Sequence, residues 1–430
     1  MSHASDISPL PQPRFLPMSR AETQALGWDE LDVLLVTGDA YVDHPTFGAA
    51  LLGRWLVAHG FRVGLVAQPD WHDPASIQAM GRPRLLAGVT AGALDSMLAH
   101  YTAFRRRRSD DAYTPGGQAG ARPDRASIVY TNLVKQAFPG LPVVLGGIEA
   151  SLRRVTHYDF WSDKLRRSIL LDAKADAILY GMAENSLLEV VRSLAAQPEL
   201  PAAQAVLGIP GTAVMGKRED MPSQAEVVEL PSHEAISREP AQLMTATLAL
   251  ERQVHQAKAW AAQEVGGRVL LLAPPSPPLS TDEMDLLYSL PYTRRAHPSY
   301  QEPVPGLATV ATSITSHRAA EAGAASAPWP CTRAAPSPRA PRTPSWPRWP
   351  GSAPRRTGAA PSATSAAPAP TCGGGAAPAS RPNAPAPVAS PPSLAAISRW
   401  TRRPSPACWS GPPTRPASSI SGSPAGCAST

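Results

Sequence analysis

A compositional break at Arg318 decides where this 430-residue chain can fold. Residues 319–430 hold 24 of the 50 prolines, no Asp, Lys, Tyr, Phe or Met, and a single acid, Glu321. They show no hydrophobic period and few aliphatic side chains. Such a stretch cannot bury enough surface to offset chain entropy, so a disordered tail is expected. Any core must come from the first 318 residues. The break also separates charge. The tail carries 11 Arg against one Glu while the whole chain is +6, which leaves residues 1–318 at −4. A nucleic-acid partner inferred from overall charge would therefore rest on the tail alone, as a non-specific contact. All four cysteines, Cys331, Cys372, Cys408 and Cys427, lie beyond the break and make no C-x-x-C pair. That excludes a disulfide framework or a Cys-ligated metal in the body. The start, MSHASDISPLPQPRF, has no basic segment followed by an apolar run. No stretch reaches the roughly 20 apolar residues that cross a bilayer. A cytoplasmic protein without a membrane partner is expected.

From Leu31 the body alternates short apolar runs with helical stripes. Val33–Val36 is continuous and apolar, suited to a strand buried on both faces. Residues 46–59 place Phe47, Leu51, Trp55 and Ala58 on one stripe, and Gly60 stops that helix. Strands are expected at 62–66, 85–89, 142–145, 177–180 and 269–272. Helices are expected through Leu94, Met97, Leu98 and Tyr101, through Leu187, Leu188, Val191 and Leu194, and near residues 238–262. Ser280-x-x-Glu283 is a capping box that opens another. Strands separated by helices of this length give a parallel sheet with right-handed crossovers. The fold class is α/β: a Rossmann-like or flavodoxin-like doubly wound sheet. The expected divisions are an arm at 1–30, running over the surface, the α/β domain at 31–200 and a connector at 201–299.

Ligands of open parallel sheets bind beyond the carboxyl ends of the strands. Two such ends are rich in small and polar residues: Gly38 and Asp39 after the first strand, and Gly146, Gly147 and Glu149 after the fourth. These five form the candidate cofactor-binding pocket, with Asp39 or Glu149 to meet a ribose or to order a loop. The same glycines also suit plain strand-to-helix turns. Asp43 and His44 lie in the loop after the first strand, but their spacing does not match D-x-H-x-x-G, so a helix-capping or loop-ordering role is expected of His44 before metal ligation. Gly211 to Lys217 imitates G-x-x-x-x-G-K, yet Arg218 stands where a hydroxyl should reach Mg²⁺ and the interior reads as strand. Arg105 to Arg108 read as a solvated run complementing a helix end, blunted as a phosphate site by Asp110 and Asp111. No catalytic residue and no metal ligand is assigned.

Longer strings carry a resemblance. FLPMSRAETQALGWDELDVLLVTGDAYVDHPTFG, GVTAGALDSMLAHYTA, RPDRASIVYTN, LGGIEASLRRVTHYDFWSDKLRRSIL and PPLSTDEMDLLYSLPYTRRAHPSY stand in this order. Together they resemble the amino-terminal half of the YgiQ-like radical SAM proteins, over residues 14–318. The resemblance implies a Rossmann-like domain followed by a radical SAM barrel, whose first strand would lie within 300–318. It also implies a [4Fe-4S] cluster held by C-x-x-x-C-x-x-C and S-adenosylmethionine on its open iron, acting on an unknown small-molecule or macromolecular substrate.

After His317-Arg318 the chain departs from that pattern. Where Gly-Cys should follow, it has Ala319-Ala320-Glu321-Ala322-Gly323. Read from the third base of each codon, residues 318–327 can spell G-C-G-G-G-C-S-F-C. The next codons permit A-L-A-L-H-Q-G. A single lost base at the Arg318 codon is inferred, with an out-of-frame tail. As written, the chain is expected to bind neither cluster nor S-adenosylmethionine, and residues 300–318 are expected to pack poorly. The other reading is a non-enzymatic α/β binding module whose basic tail contacts RNA or an acidic partner.

Overall fold

The structure is a computed structural model, and it describes residues 10–315. The tail at 319–430 lies outside the described residues, as do 1–9 and 316–318. Eleven strands are described: β1 Val33–Thr37, β2 Val63–Ala67, β3 Leu86–Thr90, β4 Val143–Gly146, β5 His157–Asp159, β6 Lys164–Arg166, β7 Ala177–Leu179, β8 Thr212–Gly216, β9 Val227–Leu230, β10 Trp260–Val265 and β11 Arg268–Leu272. Nine of them form one sheet in the order β2-β1-β3-β4-β7-β8-β11-β10-β9, and β5 and β6 form a separate hairpin.

The first five strands of that order are parallel. Val33 pairs with Val63 on one side and Leu86 on the other. Every residue of β1 is buried, as its unbroken apolar text requires. The helices Gly48–Ala58 and Glu184–Ala196 pack together on one face. The helices Ala75–Gln78, Ala126–Ala137 and Ile169–Ala173 pack on the other. This is the doubly wound arrangement expected from the alternation. Its order, with β2 and β3 flanking β1, puts the reversal of winding between β1 and β3.

The sheet does not stop near residue 200. β8 joins β7 antiparallel, Ile178 opposite Ala213 and Leu179 opposite Thr212. β11 joins β8, and β10 turns back on it through Gly266-Gly267, both at positive φ. Two such residues make the tight hairpin turn whose twist suits paired strands. Residues 201–299 therefore extend the same sheet and make it mixed. The helix expected over 238–262 runs from Gln242 to Gln256; Ala257 ends it in the left-handed region, and Trp260 begins β10. The helix expected through Leu94 is only Ser96–His100, and it leaves Leu94 and Leu98 exposed.

The arm is not a loose surface segment. Leu16 is fully buried, and the carbonyl of Pro17 accepts from Leu65 N–H at 2.9 Å, covering the open edge of β2. The other end also packs. In place of the expected strand, Pro305 opens the helix Pro305–Val310, where its missing N–H costs nothing. Val304 is buried, Gly306 N–H donates to Ala112 O at 2.7 Å, and Gly116 N–H donates to Pro303 O at 2.9 Å. Residues 300–310 are thus anchored through Val304 and Gly306, while 301–303, 305, 308 and 309 stay exposed.

Candidate functional site

The carboxyl ends of β1, β3 and β4 enclose a cavity of about 180 Å³. An engineered apolar cavity of about 150 Å³ holds benzene, so this space suits a small ring. Its walls are largely apolar, with Leu35, Phe47, Leu52 and Leu187 among them, and Asp39 brings a carboxylate to them.

The glycines divide by what surrounds them. A Cβ on Gly38 would lie 2.2 Å from the carbonyl oxygen of Ala91, so glycine there lets the loops after β1 and β3 touch. Gly147 has φ +81°, and a Cβ would lie 2.5 Å from Thr90 Oγ1. These two are demanded by packing. Gly146 and Gly48 differ: a Cβ on either meets nothing within 4 Å, and both line the cavity. Their missing side chains leave open space in the cavity.

Asp39 is buried. Its Oδ2 accepts from Ala93 N–H at 2.6 Å, and Arg122 Nη2 lies 3.0 Å from Oδ1. Burial pushes its carboxyl up to about 6, against the pull of Arg122. Arg122 is itself buried and also grips Asp111, through Nε to Oδ2 at 2.9 Å and Nη2 to Oδ1 at 3.1 Å. One guanidinium thus serves two carboxylates, leaving an excess negative charge beneath the cavity. A neutral or cationic donor entering from the cavity would relieve it.

Of the five residues proposed from sequence, Asp39, Gly146 and Gly147 line the cavity. Gly38 sits behind it, and Glu149 turns away. Glu149 accepts from Ser96 N–H at 2.8 Å and Ser127 N–H at 3.0 Å, tying together the starts of two helices. His44 orders its loop: Nδ1 accepts from Thr46 N–H at 3.2 Å, and Nε2 lies 3.2 Å from Arg294. Burial and Arg294 push it down to about 4, so it stays neutral at pH 7. The P-loop imitation is strand β8. The sequence reading missed Arg122 and took Asp111 only as a charge set against Arg105 to Arg108. Their signal was an Arg and an Asp within a stretch dense in glycine and proline.

These observations define an α/β protein with a ligand-sized cavity at its topological switch point. The family described as Radical SAM N-terminal matches residues 15–313. A UPF0313 protein of Geobacter sulfurreducens is 50% identical over 305 residues, covering 71% of this chain and 50% of the relative. A UPF0313 protein of Thermotoga neapolitana is 49% identical over 310 residues, covering 71% and 53%. The chain belongs to the Radical SAM N-terminal family, the YgiQ-like radical SAM group. It spans about half the length of the curated relatives it matches. Among solved structures, the radical S-adenosylmethionine methyltransferase TsrM from Kitasatospora setae, with cobalamin and a [4Fe-4S] cluster bound, aligns over 44% of this chain and 30% of its own, at 18% identity and a TM-score of 0.29.

The residues present do not fit the family's cluster. A [4Fe-4S] centre of this type takes closely spaced thiolates. The described residues contain no cysteine, and no group of three His, Cys, Asp or Glu among them could hold a metal ion. The four cysteines of the tail are too far apart in sequence for the motif. Among the described residues, no helix is long and apolar enough to cross a membrane.

Proposed function

We propose that this chain is the ligand-binding amino-terminal half of a YgiQ-like radical SAM protein, separated from its catalytic half by a lost base at the Arg318 codon. As written it performs no radical chemistry. The observation that carries this reading is the run Ala319 to Ala327, which stands where C-x-x-x-C-x-x-C is required and can spell it one base out of frame. The family match supports it by ending at residue 313, just before that run.

The half that remains has a role of its own in this reading. Its cavity takes a small molecule with an apolar body and one hydrogen-bond donor directed at Asp39. Gly48 and Gly146 leave the space, Phe47 and Leu187 exclude water from the ring, and Arg122 holds the Asp39 carboxylate in place. Resequencing the gene across the Arg318 codon tests the frame directly. The reading expects one extra base there. A confirmed present frame would make the chain a binding module in its own right.

A further inference from the structure

We propose that the loop Tyr101–Arg108 and the β5–β6 hairpin together form a binding face for single-stranded nucleic acid. The sequence set Asp110 and Asp111 against the four arginines as a phosphate site. The structure removes Asp111, which is buried and held by Arg122. Arg105 to Arg108 are exposed and make no ion pair among the described residues. Two of them shape the loop. Arg108 Nε donates to Leu98 O at 3.2 Å, and Arg105 donates to Phe160 O at 2.6 Å with its guanidinium 4.6 Å from the Phe160 ring centre. Arg106 and Arg107 remain to meet phosphates.

Aromatic faces stand beside these charges. Phe104 is 89% exposed and Phe160 44%. Trp161 stacks at a tilt on Tyr101, ring centres 5.4 Å apart, and meets Phe160 edge-on at 5.2 Å. Of the nearby acids, Asp159 pairs with Arg125 at 2.6 Å, Asp124 with His100 and Tyr101, and Asp163 accepts from the Tyr158 hydroxyl, which leaves exposed Asp110 against the four arginines. Arginines that track a backbone, interleaved with rings on which bases stack, are the two parts of a sequence-tolerant single-strand site. A duplex offers no free base faces to Phe104, and an acidic peptide supplies charge without flat rings. A short run of bonds links the cavity wall to the segment before the hairpin. Ala93 bonds Asp39 at the cavity wall, and Asp95, two residues on, pairs with Arg153 just before the hairpin.

The test uses the full chain with short oligouridylate and oligodeoxythymidylate, by fluorescence anisotropy between about 50 and 200 mM salt. The tail is identical in every variant, and mapping the crosslinks separates its own binding from that of the face. Arg106→Ala/Arg107→Ala should lower the slope of log affinity against log salt by about 1.4, two phosphate contacts at about 0.7 each. Phe104→Ala should weaken binding about fivefold or more. Ultraviolet crosslinks should map to Phe104, Phe160 or Trp161. Crosslinks confined to residues 319–430 with an unchanged slope would overturn the proposal. So would polyglutamate that competes fully and depends on the same arginines, which would mark a surface for an acidic protein.

Discussion

Two buried charged residues carry most of what single side chains decide here. Arg54 and Asp43 are fully buried and joined by two bonds of 2.6 Å. Arg54 also donates to the carbonyls of Pro13 and Arg14, while Asp43 accepts from Thr293 N–H. This pair therefore clamps the arm and the segment after residue 290 onto the loop following β1. Removing one partner strands the other, which costs about 3–5 kcal/mol. Arg54→Met should lower stability by that order in urea unfolding and speed proteolytic cutting within residues 10–20. Asp39 makes a different prediction. Its carboxyl is raised from 3.8 to about 6 in the folded state. A raised folded value means the native state holds the extra proton, so this contribution to stability is present below about pH 4 and lost as pH rises through 6. Its size is about 3 kcal/mol. His44 is shifted down to about 4 and acts in the opposite sense, losing stability as pH falls through that range. Only the difference between the native chain and Asp39→Asn isolates Asp39. Stability of Asp39→Asn, measured by urea titration from pH 4 to 7, should gain on the native chain as pH rises; parallel curves would exclude the shift.

At the scale of elements, the alternation of apolar runs and stripes sufficed for the parallel strands and for the helices Gly48–Ala58 and Glu184–Ala196. Those elements are long or fully buried, so their pattern is local. The mixed half was only partly legible. Thr212–Gly216 read as strand within the P-loop imitation, whereas β10 read as helix because Trp260–Val265 follows directly on one, and neither could be placed in the sheet. What fixes them is pairing with β7 and β11 across the sheet, which no local pattern records. The glycines were legible as a group but not in their roles. Gly146 leaves open space, whereas Gly147 is held at φ +81° against Thr90. Gly147→Ala should destabilise by about 1–3 kcal/mol through backbone strain. Gly146→Leu should fold with nearly native stability and fill the cavity. Benzene uptake followed by ligand-detected NMR should be present in the native chain and absent in Gly146→Leu. Equal uptake by both would place the ligand space elsewhere.

At the scale of the whole molecule, we propose a folded α/β body followed by a reading frame that leaves its family just after that body ends. The family was legible in sequence because long strings keep their order over residues 14–318. The cavity was partly legible, since Asp39, Gly146 and Gly147 come from strand ends that the fold class itself marks. Arg122 and Asp111 were not, because a buried ion pair inside a long loop has no periodicity to betray it. The central claim is that the catalytic half was lost to one base. The most direct measurement is anaerobic iron and sulfide analysis of the product made after restoring that base, alongside the chain as it stands. About four iron and four sulfide are expected per frame-restored chain, the content of a [4Fe-4S] cluster, and none specifically bound by the present chain. A frame-restored product without a cluster, or a present chain that assembles one, would contradict it.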